Sequence, residues 1–159
     1  MYDNWDDLKK SIAECKKCRL CTNRTNIVLG EGNINAKIMF IGEGPGADED
    51  KQGVPFVGKA GQLMNKAFQA LGINREEIYI ANIVKCRPPS NRVPEEDEAQ
   101  ACLNYLRNQV VLIKPEIIVL LGSTALKTIL GKEYGITAVR GKWTVSYTHL
   151  RAHETGAYL

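Results

Sequence analysis

Two groups of residues in this chain have types and spacings suited to chemistry. The first is a set of five cysteines, Cys15, Cys18, Cys21, Cys86 and Cys102. Cys15 and Cys18 are separated by two residues, a gap that lets one turn present both thiolates to a single metal centre. Cys21 repeats the gap. Cys15, Cys18, Cys86 and Cys102 together offer thiolates from three separate segments. An odd number of cysteines, behind an N-terminus (Met1 to Lys10) that is polar and acidic, argues against a disulfide framework. A structural zinc ion and a [4Fe–4S] cluster both take four cysteines. Spacing alone leaves these two open, beside unliganded buried thiols.

The second group surrounds Ile38-Met39-Phe40-Ile41-Gly42-Glu43-Gly44-Pro45-Gly46, which acids follow at 48–50. A short apolar run that stops at a glycine turn fits a buried strand. Open α/β sheets bind ligands at such strand ends. Glycines at 42, 44 and 46 permit positive φ and close approach to a ligand. Glu43 and the acids after it then stand at a cleft mouth; the plainer alternative is a turn with a solvated acidic run. The pattern is neither a Walker A loop nor GxGxxG. Phe56, in Gly53-Val54-Pro55-Phe56-Val57-Gly58, is either a core plug or a stacking platform. Asn82, inside the apolar run 77–84, must find partners when buried. It either bonds neighbouring backbone or aims its amide into a pocket.

The elements that must position these groups follow from periodicity. Residues 3–14 carry Trp5, Leu8 and Ile12 at helical spacing. Thr22 to Asn35 reads as an extended connector or loop. Strands are expected at 38–42, 77–84 and 116–121. A helix over 59–71 places Leu63, Met64, Ala67, Phe68 and Leu71 on one face and stops at Gly72. Pro94 opens a helix with Glu95, Glu96 and Asp97 in its first turn, where acids suit the dipole. Cys102 lies at the edge of its apolar stripe and faces inward. Pro115 ends it, and a further helix covers 124–130. Strands alternating with helices indicate an α/β layer architecture with a parallel sheet.

Composition sets the bounds. A chain of 159 residues with 44% hydrophobic and 25% charged residues is one domain with a sizeable core. No apolar run approaches the roughly 20 residues of a membrane span, and a cytoplasmic location is expected. A formal charge of +3 permits a polyanionic partner without requiring one. Basic residues cluster at Lys16, Lys17 and Arg19, at Lys85 and Arg87, and at Arg140 and Lys142, each of which alone reads as a solvated face.

In order along the chain stand Cys15-x-x-Cys18, Arg24-Thr25-Asn26-Ile27-Val28, Gly42-Glu43-Gly44-Pro45-Gly46, Pro55-Phe56-Val57-Gly58, Asn82-Ile83-Val84-Lys85-Cys86-Arg87-Pro88-Pro89, and Cys102. Together they resemble the family 4, iron–sulfur uracil-DNA glycosylases, over roughly residues 5–143. The resemblance implies a three-layer α/β/α sandwich with a short parallel sheet. It implies a [4Fe–4S] cluster on Cys15, Cys18, Cys86 and Cys102, and no ligand role for Cys21. It also implies excision of uracil from DNA by base flipping and hydrolysis of the N-glycosidic bond. Phe56 would stack on the flipped ring. Asn82 would read the uracil edge with a donor and an acceptor. Glu49 would stand near C5 and exclude a thymine methyl. Glu43 would position water and stabilise the oxocarbenium-like sugar. Gly42 and Gly44 would leave room for the base and supply backbone contacts. Basic residues near the cluster would meet DNA phosphates. Uracil-containing DNA is the expected partner of a monomer.

Family members carry a later His-Pro-Ser motif after a fourth strand, and this sequence has none. From about Val145 the sequence no longer looks like family sequence and resembles a translated cloning or sequencing adapter. The expected division is a glycosylase-like domain, 1–144, lacking its fourth strand, and a tail, 145–159. Neither His149 nor His153 inherits a catalytic role. The reading from another class is a non-catalytic Fe–S or zinc nucleic-acid-binding module, or an inactive truncated remnant.

Overall fold

The computed structural model describes residues 2–146 and 157–158. Helix α1 (Trp5–Ala13) is capped by Asn4, whose side chain accepts from Asp7 N. A 3-10 turn over Arg19–Thr22 and a two-residue strand β1 (Glu31–Gly32) interrupt the connector. Strand β2 (Ile38–Gly42) runs into a short helix α2 (Ala47–Gln52) and then α3 (Lys59–Leu71). Strand β3 (Tyr79–Asn82), helix α4 (Glu96–Ile113), strand β4 (Ile117–Leu120) and helix α5 (Gly122–Leu130) complete the βαβ units. A short α6 (Ile136–Val139) and strands β5 (Val145–Ser146) and β6 (Ala157–Tyr158) follow.

The sheet order is β1-β3-β2-β4-β6-β5, with β3, β2 and β4 parallel. β2 lies in the middle. The chain leaves it for β3 through α3, then returns through α4 to β4 on its other side. Side chains alternate along β2, as a strand dictates. Met39 and Ile41 enter the larger core with α1, α4 and α5, while Phe40 packs with Phe68, Ile78 and Ile80 below α3. Helices therefore cover both faces, giving the expected α/β/α sandwich. No described helix is long and apolar enough to cross a membrane.

Three details depart from the sequence reading. The place beside β4, expected to lack its strand, holds β6, which pairs in parallel through the single register pair Ile117↔Tyr158. The buried face of α3 is Gly61 and Phe68, with Met64 against the same core, whereas Leu63 and Leu71 are 71% and 72% exposed. The reason is Gly61, whose absent Cβ would lie 1.8 Å from Phe56 O, so the helix turns this face to the loop. The acidic run is not simply solvated either. Asp50 is buried, and its carboxylate accepts from Thr25 N at 2.9 Å and Asn26 N at 3.3 Å, pinning the connector to α2.

Candidate functional site

Register brings the slot together. Gly42 and Asn82 are partners at the C-terminal ends of β2 and β3. The ladder continues past them, with Ile83 N donating to Gly42 O at 2.9 Å and Val84 N to Glu43 O at 3.2 Å. A cavity of about 330 Å³ opens at these tips, where Glu43, Gly44, Glu49, Phe56 and Asn82 share its wall. Gly42 does not line it but packs against two residues that do. A Cβ there would meet Phe56 Cζ at 2.5 Å and Asn82 Oδ1 at 2.6 Å. The expected slot residues therefore converge.

The glycines act through missing side chains rather than through φ. Gly42, Gly44 and Gly46 are absent from the residues at positive φ, contrary to the sequence expectation. A Cβ on Gly44 would strike Val84 Cγ2 at 2.7 Å, so that glycine lets the turn close over β3.

Asn82 is 2% exposed, and Oδ1 is the one buried side-chain polar atom among the described residues without a hydrogen-bond partner. An orphaned buried acceptor costs about 1–3 kcal/mol, which a ligand donor would offset. Glu43 is half-buried, and Thr124 Oγ1 in α5 donates to its Oε2. Glu49 holds the turn together: its carboxylate accepts from Gly46 N (3.1 Å), Val57 N (2.9 Å) and Gly58 N (2.8 Å). Its charge is thus already engaged by backbone donors.

The cavity also includes Lys59, Asn91 and Arg92, which the sequence reading passed over. Ser90 and Asn91 both have left-handed backbones, at φ 55° and 56°. Asn after Pro-Pro-Ser, a residue that tolerates this region, was the available signal. Arg92 is engaged behind the loop by a two-pronged bond to Glu98, at 2.8 and 2.7 Å.

Behind β3 lies a second, apolar cavity. Cys15, Cys18, Cys86 and Cys102 line it, with Cys21 on the same wall, and all five are free thiols. Burial pushes the Cys102 thiol up to about 11 and raises Cys86, whose rise Arg24 opposes. Arg24 Nη1 donates to Cys86 Sγ at 3.2 Å, and Lys85 N donates to Cys102 Sγ at 3.3 Å. Buried sulfurs with N–H donors aimed at them fit thiolates neutralised by a bound metal centre. Among the described residues no three His, Cys, Asp or Glu side chains converge as closely as a single ion needs.

The basic residues expected at phosphates divide. Lys85 is 2% exposed and donates to Asn82 O at 3.0 Å and Gln109 Oε1 at 2.6 Å; burial lowers its pKa to about 8. It cannot reach DNA. Arg19 is tied to Asp97 at 2.5 Å. Lys16 remains exposed, while exposed Lys17 lies over the Tyr105 ring at 4.3 Å. His149 and His153 lie outside the described residues.

The fold and slot define an α/β protein in which an aromatic face and an amide share one cavity at adjacent strand tips. Residues 29–156 match the uracil DNA glycosylase superfamily. The chain is 50% identical over 135 residues to a type-4 uracil-DNA glycosylase of Thermotoga maritima, covering 84% of this chain and 70% of that one. It is 50% identical over 145 residues to the type-4 uracil-DNA glycosylase of Sulfurisphaera tokodaii (88% and 66%). To that of Saccharolobus solfataricus it is 49% identical over 146 residues (89% and 68%). It belongs to the type-4 uracil-DNA glycosylase family, and spans about two thirds of the length of these relatives.

Proposed function

We propose that this chain excises uracil from DNA, breaking the N-glycosidic bond of a nucleotide flipped into the slot and leaving free uracil and an abasic site. The observation that carries this reading is the unpaired Oδ1 of Asn82, on the wall of a cavity that Phe56 also lines. Uracil offers N3–H to such an acceptor and O4 to the amide's N–H, whereas cytosine presents the opposite pattern at the same edge. Flipping costs a few kcal/mol of stacking and pairing. Stacking on Phe56 returns about 1–3 kcal/mol.

Glu43 takes the charged part. Its carboxylate, held by Thr124, stands at the end of β2, where it can orient water and face the positive charge that grows on the sugar. Glu49 acts by shape. Its bonds to three backbone N–H groups hold the turn as a wall, which would exclude a methyl on C5.

Cys15, Cys18, Cys86 and Cys102 would hold a [4Fe–4S] cluster. Bound there, it supplies a cross-link among three chain segments and takes no part in the bond cleavage. Four thiolates meet the ligand number of such a cluster, as they would that of one zinc ion, and the family resemblance favours the cluster.

The test is an oligonucleotide bearing a single uracil, offered as duplex and as single strand. Uracil release with an alkali-labile strand is expected. Binding without abasic product would instead favour the non-catalytic module.

A further inference from the structure

Phe56 is the least comfortable residue of the slot. Its backbone lies in the left-handed region, at φ 53°, where a bulky residue is rarely found. Such a conformation costs about 1–3 kcal/mol and persists only when its surroundings over-determine it. Glu49 holds the following Val57 and Gly58 N–H groups, and the carbonyls of Pro55 and Phe56 are held by Arg75, on the far side of the loop. Arg75 sits in the 3-10 turn Arg75–Glu77 that leads towards β3. Its Nη2 donates to Pro55 O at 2.5 Å and its Nη1 to Phe56 O at 3.3 Å. The same guanidinium reaches Asn65 Oδ1 in α3 at 2.9 Å and Glu31 Oε2 in β1 at 3.2 Å. One planar fork therefore grips two successive carbonyls and anchors them to two elements. A lysine ammonium cannot reproduce that fixed pair of donors. Gly61 closes the loop from α3.

We infer that Arg75 is a positioning residue for base recognition: by clamping the Pro55 and Phe56 carbonyls it sets the plane of the Phe56 ring against which a pyrimidine stacks. The inference rests on the slot reading given above. Arg75 does not line the slot cavity and touches no reacting atom. Without it the backbone at residue 56 relaxes towards an extended conformation, and the ring leaves Gly42.

Fluorine NMR on protein carrying 4-fluorophenylalanine tests the clamp without requiring turnover. The chain has three phenylalanines, Phe40, Phe56 and Phe68, so each line is assigned by substitution. In Arg75→Met the Phe56 line should shift and broaden while those of Phe40 and Phe68 stay, and Arg75→Lys should restore it only in part. An unmoved Phe56 line, or three lines moving together as in general loosening, would overturn the clamp. Uracil excision supplies the second arm. Arg75→Met should lower kcat/KM by about 10-fold, and by less than about 2-fold when Phe56 is already alanine. An undiminished drop in the Phe56→Ala background would show that Arg75 does not act through the ring. Should the unaltered chain release no uracil, the glycosylase reading fails, and the fluorine lines still decide the clamp.

Discussion

The slot and the thiol cavity lie on one strand segment, yet they are built in opposite ways. The slot is made mainly of backbone: the Gly42–Asn82 register, a turn whose glycines admit neighbours, and a loop clamped by Glu49 and Arg75. It is open and lacks one hydrogen-bond donor. The thiol cavity is made of side chains from three segments with apolar walls between them, and Arg24, whose Nη1 donates to Cys86 Sγ, is one of the cations on its wall. The first keeps its shape through strand pairing. The second gathers buried sulfurs that a bound metal centre would neutralise. Lys85 joins them, reaching Asn82 O with its ammonium and Cys102 Sγ with its backbone N–H.

This contrast predicts that damage to the cavity is read as stability and damage to the slot as turnover. The largest effect belongs to Cys86→Ala or Cys102→Ala. Either should abolish iron-dependent visible absorbance and cost more than about 5 kcal/mol, the scale of a whole domain's stability. An unchanged thermal midpoint would remove the cavity's structural role. Asn82→Ala should lower turnover by about 10²–10³-fold. Its thermal midpoint should hardly move, because the deleted oxygen has no partner to lose. Gly42→Ala inserts a methyl 2.5 Å from Phe56 Cζ. It should raise KM and reduce kcat/KM by about 10-fold or more, with a modest stability loss.

The smallest effect is electrostatic and lies behind the slot, where Arg92 lines the cavity and Glu98 holds it. Arg92, bonded to Glu98 by both prongs, holds the Glu98 carboxyl below its usual range. A depressed folded-state value gives stability that is complete above the ordinary carboxylate range and lost as pH falls through the lowered one. Glu98→Gln should therefore lower the thermal midpoint near neutrality and flatten its further loss as pH falls through and below the ordinary carboxylate range. An equally steep acid limb in the variant would assign that limb to other carboxylates.

Local patterns reveal the parts of this molecule that local physics decides. The apolar run of β2 and the glycine stop of α3 give bounds that the structure reproduces, Ile38–Gly42 and Lys59–Leu71. The residue types at the slot were legible because an amide inside an apolar run and an aromatic among glycines are both anomalous. What stayed hidden depends on contacts distant in sequence. Nothing near Asp50 announces that it will cap the backbone of Thr25 and Asn26. The burial of Gly61 in place of Leu63 follows from the position of Phe56, not from the periodicity of α3. A left-handed phenylalanine has no sequence signature, and neither does the arginine that holds it, some 20 residues away. Lys85 reads as a surface cation beside a cysteine and proves to be the buried tie between the two regions.

The decisive measurement is the side-chain amide resonance of Asn82 in ¹⁵N-labelled protein, followed while free uracil, thymine or cytosine is added. A shift that saturates with uracil, is absent with the other two bases, and disappears in Phe56→Ala would place one pyrimidine between ring and amide. An Asn82 resonance indifferent to uracil, or moved equally by all three bases, would mean that the strand tips do not form a uracil site.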